Sequence, residues 1–192
     1  MVELPPKDRK RVADPIGDLS EFLDIAAGTG RRLSAICGLR LDDLHLERTP
    51  AAPHGAIRWR AEADKAGKES TVPISPQVRA AIDRLRERRS GVGAVPLFPH
   101  PRDPSKPISR YIPDRWLRNA EKLAELEPQD GSLWHAYRRA WATQRKHLPA
   151  VDVAKAGGWS TVQVVTQIYQ QADTETTLKV VLEAAEIRGV RG

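Results

Sequence analysis

The most constraining stretch of this 192-residue chain is the one where its hydrophobic period changes. From Ile57 to Glu62 (Ile-Arg-Trp-Arg-Ala-Glu) apolar and polar residues alternate, and a second short run, Ser70 to Ile74, follows Lys65-Ala66-Gly67-Lys68. Alternation at period two marks a half-buried strand, and two such runs joined by a Gly-containing turn make a β-hairpin with Lys65 near its tip. Leu44 to Glu47 is the candidate third strand. The flanking segments repeat at helical spacing instead. A small β segment set among helices leaves few architectures, and the expected fold class is α+β, mainly α-helical with a small antiparallel β-sheet.

The helices are placed by their apolar faces and end signals. Asp14-Pro15 opens a helix over Ile16 to Ala27, with Leu19, Phe22, Leu23 and Ala26 inward, and Gly28-Thr29-Gly30 ends it. A short helix follows over Arg31 to Gly38. Ser75-Pro76 starts another that runs to about Arg89, proline being favoured in the first turn. Its Arg79, Arg84, Arg86, Arg88 and Arg89 read as a solvated face partly balanced by Asp83 and Glu87; a surface tracking a nucleic-acid backbone is the competing reading. Residues Ser90 to Pro107 read as loop, and a helix spans Ser109 to Leu126. A last amphipathic helix, Thr174 to Ile187, carries Leu178, Val181, Leu182 and Ala185 on one stripe. Residues 1–15 are charged and Pro-rich without periodicity, a linker or tail, which leaves 16–192 as one domain.

Lysine and arginine number 31 against 25 acids, and the resulting charge of +6 favours a polyanionic partner, nucleic acid first. Cys37 is the only cysteine, which excludes an intrachain disulfide and a Cys-rich zinc site and makes a reducing cytoplasm the expected setting. Lying among Leu33, Ile36 and Leu39, it reads as a buried thiol. No apolar run approaches the ~18 residues of a membrane span. There is no basic-then-apolar leader, no GxxxxGK[ST] loop, and so no expected membrane partner or nucleotide cofactor.

The stretch from Trp134 to Tyr169 carries the chemistry. Trp134, Tyr137, Trp141 and Leu148 form a core face, while His135 and Arg138, three apart, leave the helix on a shared side. A histidine and an arginine converging on one spot suit a phosphate group. Arg139 and Arg145 add charge nearby, and Tyr169 follows Arg138 by 31 residues.

Five local patterns, in order, resemble the catalytic domain of tyrosine recombinases, the phage-integrase family. Thr29-Gly30-Arg31-Arg32-Leu33-Ser34 is similar to the family's TGxRxSE box and places its first arginine at Arg32, with Arg31 as the neighbouring rival. Lys65-Ala66-Gly67-Lys68 followed by Val72-Pro73-Ile74 resembles the hairpin that carries the catalytic lysine, Lys65 or its rival Lys68. His135-Ala136-Tyr137-Arg138 matches HxxR, Gly157-Gly158-Trp159-Ser160 sits at the LGHS box, and Tyr169 follows at the family's distance. The likeness covers about residues 15 to 188. The chain departs from the pattern at Ala35 for glutamate, Arg139 and Gln170 for histidines, and Trp159 for histidine. An indole N–H still donates one hydrogen bond but cannot shuttle a proton.

The resemblance implies cleavage of double-stranded DNA through a 3′-phosphotyrosyl link, with neither metal nor ATP. In that reading Tyr169 is the nucleophile. An ordinary phenol, with a pKa near ~10, is about one part in a thousand ionised at neutral pH, a handicap of roughly 4 kcal/mol, so it needs positive charge or a base beside it. Arg32 and Arg138 suit the non-bridging oxygens, His135 accepts the tyrosine proton or holds the phosphate, Trp159 donates a hydrogen bond, and Lys65 protonates the departing 5′ oxygen. Self-association on DNA into a tetrameric synapse, through the terminal helix at 174–188, is also implied. The family's N-terminal core-binding domain has no counterpart in this sequence. A type IB topoisomerase-like relaxase shares the chemistry, and a non-cleaving DNA-binding module derived from an integrase is the alternative outside enzymology.

Overall fold

The helix that most of the chain packs around is α1 (Leu19–Thr29), which contacts α2 (Leu33–Cys37), α3 (Pro76–Glu87), α4 (Tyr111–Leu123) and α5 (Leu133–Gln144). The computed structural model describes residues 17–63, 67–89, 91–127, 131, 133–169 and 174–182. The expected linker over residues 1–15, the helix start at Asp14-Pro15, the turn residues Lys65 and Ala66, and Ala185 to Ile187 lie outside the described residues.

On the buried side of α1, Phe22 and Ile25 are wholly enclosed. Phe22 meets Phe98 and Trp134 at 4.9 Å between ring centroids, and Trp116 edge-on at 6.4 Å. The helix ends within the expected Gly28-Thr29-Gly30 run, but Gly28 itself is still helical. It lies inside the last turn, where a Cβ would fall 2.3 Å from Cγ2 of Val78, so glycine here lets α1 and α3 approach. The stop comes at Gly30, left-handed with φ 63°, whose N–H returns to the carbonyl of Ala26.

At the start of α3, Ser75 accepts a hydrogen bond from Val78 N (3.3 Å) with proline following, as the sequence predicts. Its arginines answer the acids of α1. Arg84 pairs with Glu21 (3.1 Å) and Asp24 (2.6 Å), and Arg88 with Asp18 (3.3 Å) and Glu21 (3.0 Å). Arg89 also reaches Asp18, and Arg79 pairs with Asp83 at 2.9 Å. Arg84, Arg88 and Arg89 therefore form an ion-pair network with Asp18, Glu21 and Asp24, which disfavours the backbone-tracking reading. Burial pushes the Glu21 carboxyl up, but hydrogen bonds from Arg88 and Arg84 outweigh it and leave the group below its ordinary value.

The sheet is antiparallel, in the order β1 (Leu44–His45), β2 (Ala56–Trp59), β3 (Ser70–Pro73), with Ile57 opposite both Leu44 and Val72. The second strand stops short of the alternation. Arg60 leaves the ladder to donate to the carbonyl of Gly38 at 2.5 Å, and Ala61–Ala63 forms a 3-10 turn where strand is expected. The first strand is likewise shorter than expected: it follows a 3-10 turn at Leu41–Asp43 and stops at His45. A second hairpin, β4 (Pro99–His100) with β5 (Asp103–Pro107), lies within the stretch expected as loop. Its prolines hide it, since proline is tolerated in such edge positions but breaks any strand pattern.

The C-terminal half adds α6 (Ala150–Gly157), α7 (Val162–Ile168) and α8 (Thr174–Leu182). Trp141, Ala142, Val153, Ala154, Trp159 and Val165 form a small separate core. Leu148, expected on the core face with Trp134, is 45% exposed because α5 ends at Gln144. Cys37 is buried as expected; burial first, then the charge of Asp114, pushes its thiol up to about 12. No helix among the described residues is long and apolar enough to cross a membrane.

Candidate active site

The site is organised by the C-terminus of α6, whose last carbonyls collect three arginines. After Gly30 turns the chain, Arg32 takes an extended conformation at the start of α2 and donates from Nη1 to the carbonyl of Gly158 at 3.0 Å. Arg138, 4% exposed on α5, donates from Nη1 to the carbonyls of Gly30 and Gly157 (2.5 Å to the latter) and from Nη2 to Gly158 at 3.3 Å. Arg31 approaches from the other side: Nε reaches Ala156 O at 2.9 Å, and Nη2 reaches Lys155 O at 3.2 Å and Ser70 Oγ at 3.1 Å. Cations at a helix C-terminus satisfy carbonyls that have no intrahelical donor and meet the negative end of the helix dipole.

This separates the two rival arginines. The Arg31 guanidinium is buried, lies 4.8 Å from the Trp59 ring centroid and links the sheet to α6. Arg32 is half-buried. The Gly-Gly-Trp run also acquires a physical reason. Gly158 is left-handed at φ 69°, and a Cβ there would fall 2.3 Å from Arg31 Nη1. A Cβ on Gly157 would fall 1.9 Å from the Trp159 ring.

Arg32, His135 and Arg138 come together on one cleft of about 780 Å³. His135 is exposed on its wall, one turn before Arg138 on α5. The opposite wall comes from α4 and was not anticipated: Arg110, Tyr111, Asp114, Arg115 and Arg118. The cleft thus gathers six arginines, counting Arg31, Arg32 and Arg138, and a single carboxylate, Asp114, which accepts a hydrogen bond from Trp134 Nε1 at 2.7 Å. Such a balance suits a polyanion. The spacing of Arg115 and Arg118 on an amphipathic helix was a readable signal, but nothing in the chain order links α4 to the HxxR helix.

Trp159 and Tyr169 do not line this cleft. They lie one layer behind it. The Arg138 guanidinium sits 3.5 Å from the Trp159 ring centroid, and Trp159 in turn packs against Trp141 (6.0 Å, stacked) and edge-on against Tyr169 (5.5 Å). Tyr169 caps the end of α7, half-buried, with its N–H on the carbonyl of Val165 at 3.0 Å. Of the six expected site residues, three share the cleft, two connect to it through the cation–π contact of Arg138, and Lys65 lies outside the described residues.

Residues 11–176 match the sequence profile described as the phage integrase family. No curated protein matches the chain in sequence. Among solved structures, the XerA recombinase is similar at 20% identity with a TM-score of 0.62, covering 85% of this chain and 55% of that one. The Tn1549 transposon integrase in complex with transposon right end DNA is similar at 18% identity and a TM-score of 0.65, covering 85% and 58%. A lambda integrase (75–356) dimer bound to a COC′ core site gives 18% identity and a TM-score of 0.59, covering 83% and 54%. The chain therefore shares their fold and spans a little over half the length of each.

Proposed function

Because this chain belongs to the phage integrase family, we propose that it is the catalytic domain of a site-specific DNA recombinase that cleaves and rejoins strands through Tyr169. The observation that carries the reading is the joint seat of Arg32 and Arg138 on the carbonyl of Gly158, beside His135 in an arginine-rich cleft and one aromatic ring from Tyr169. A phosphodiester in that cleft meets the positive charge of Arg32 and Arg138 together, which stabilises the charge that builds on its non-bridging oxygens as a fifth ligand arrives.

In the proposed reaction the Tyr169 oxygen attacks phosphorus and gives up its proton to His135 or solvent. A 3′-phosphotyrosyl bond forms as the bond to the 5′ oxygen breaks, and Lys65 supplies the proton that oxygen takes. The ester retains the bond energy, so a 5′ hydroxyl attacking it reverses the step and rejoins a strand. Trp159 serves as a wall that positions Arg138 and Tyr169 in addition to offering an indole donor. The exposed apolar residues of α8, Leu178, Val180, Val181 and Leu182, support self-association through that helix when the protein assembles on DNA.

The test is covalent trapping on a nicked suicide duplex carrying a candidate attachment site. The parent protein is expected to yield a denaturant-resistant adduct and Tyr169→Phe to bind the duplex without forming one. An adduct persisting in the phenylalanine variant overturns the assignment of the nucleophile. Binding without an adduct in the parent returns the chain to the non-cleaving alternative.

A further inference from the structure

Beside the arginine cleft is a second depression of about 480 Å³, whose wall includes Arg40, Arg60, Glu62 and Ser105. Ser34 lines both, so the two adjoin. The second depression is built around guanidiniums that the interior holds in place. Asp43, 1% exposed, accepts from Arg58 Nε and Nη2 (3.2 and 3.1 Å) and from the backbone N–H of Arg40 (3.0 Å), and stands 3.4 Å from Arg60 Nε. Arg60 is anchored further by the Gly38 carbonyl.

One donor of this frame is left over. Arg60 Nη1 is buried and has no hydrogen-bond partner among the described residues. The nearest anion is Oε1 of Glu62, at 3.3 Å as an ion pair without hydrogen-bond alignment, and the same oxygen stands 3.6 Å from Arg40 Nη2. A buried charged donor without an acceptor is costly, and an anion that met it squarely would remove that cost. Glu62 comes from an exposed side chain, 67% accessible, and offers one oxygen to two arginines. A phosphodiester has two non-bridging oxygens, one for each.

We propose that Arg40 and Arg60 form a second phosphodiester-binding subsite, which takes a DNA backbone phosphate flanking the one in the arginine cleft and which Glu62 occupies until that phosphate displaces it. The proposal rests on the recombinase reading, since Ser34 joins the depression to the cleft where DNA is placed. With Glu62 in position, the local charges of Arg40, Arg58 and Arg60 are matched by Asp42, Asp43 and Glu62. Swinging Glu62 aside leaves one net positive charge facing the incoming strand.

The experiment measures binding of the full chain to a fluorescent duplex by anisotropy across a salt series, for the parent, Arg40→Gln, Glu62→Gln and, as a charge-matched control, the exposed Glu47→Gln. Thermal melts check that each variant is folded. Arg40→Gln is expected to weaken binding about five- to tenfold near 0.1 M salt and to flatten the log–log salt slope by about 0.9, the loss of one phosphate contact. Glu62→Gln is expected to tighten binding several-fold, beyond any gain from Glu47→Gln. If Arg40→Gln leaves the affinity and the salt slope unchanged and Glu62→Gln gains no more than Glu47→Gln does, the subsite is overturned while parental binding leaves the recombinase reading standing. Weaker binding by Glu62→Gln overturns the displacement, making Glu62 a support for the arginines. A parent that does not bind duplex DNA overturns the recombinase reading, and the subsite with it.

Discussion

Replacing Gly157 by alanine sets two physical effects against each other. Gly157 closes α6, and in a helix alanine is favoured over glycine by about 1 kcal/mol, so propensity alone predicts a more stable protein. The packing predicts the reverse. The new Cβ would stand 1.9 and 2.6 Å from two ring atoms of Trp159 and 3.0 Å from Trp141. Trp159 cannot simply swing away, because Arg138 lies 3.5 Å from its ring centroid and Trp141 and Tyr169 hold its other sides. Overpacking of this kind typically costs about 1–3 kcal/mol, and more when no collapse is possible. The clash is far inside ordinary contact distance, so the upper end of that range applies and the net effect is a loss of roughly 1–2 kcal/mol. For a domain of this size that lowers the melting temperature by about 2–8 °C. Displacing Trp159 also shifts the surface between Arg138 and Tyr169, so adduct yield on the suicide duplex is expected to fall by tenfold or more while duplex binding holds. The control is Gly93→Ala, away from the cleft, at φ 77° with nothing within 4 Å of the added carbon. It costs only the left-handed backbone strain, about 1–2 kcal/mol, and leaves adduct yield unchanged. Circular dichroism melts and adduct gels read both. A Gly157→Ala protein as stable and as active as the parent would falsify the claim that the Gly-Gly-Trp run exists to bring α6 against the Trp159 ring.

Other outcomes follow from the same contacts. The folded state holds the Glu21 carboxyl below its ordinary value, so the stability it contributes is complete above the unfolded carboxylate's value and is lost as pH falls through the folded one. Glu21→Gln should therefore be less stable than the parent at neutral pH, with the difference shrinking in urea melts carried down to pH 3; a constant gap would mean that shape, not charge, is at stake. On the wall contributed by α4, Arg115→Gln and Arg118→Gln should each flatten the salt dependence of DNA binding by about 0.9 in log–log slope, with no change in stability beyond about 0.5 kcal/mol. Unaltered slopes would remove α4 from the DNA-facing surface.

Much of this molecule could be read without coordinates wherever a local rule governed. The hairpin over β2 and β3 was visible because period two is rare in a helical chain. The start of α3 at Ser75-Pro76 needed only capping chemistry, and the shared side of His135 and Arg138 needed only helical spacing. Reading failed where a distant partner intervened. Arg60 is drawn out of the sheet by Gly38 and Asp43, and Gly28 sits inside α1 where a side chain would strike Val78. The prolines of β4 and β5 concealed a strand pair that pattern alone rejects.

The order of motifs, the charge excess and the chemical types Arg, His, Trp and Tyr belong to the sequence, because each depends on residue identity and spacing along the chain. How Arg31 and Arg32 divide the end of α6 between them, why two glycines precede Trp159, and where Tyr169 stands belong to the tertiary structure. The first turns on the carbonyls at the end of α6, to which Arg31, Arg32 and Arg138 are drawn from segments more than 100 residues apart in the first two cases. A helix terminus with unsatisfied acceptors is a local feature, but the donors that satisfy it are chosen by the fold.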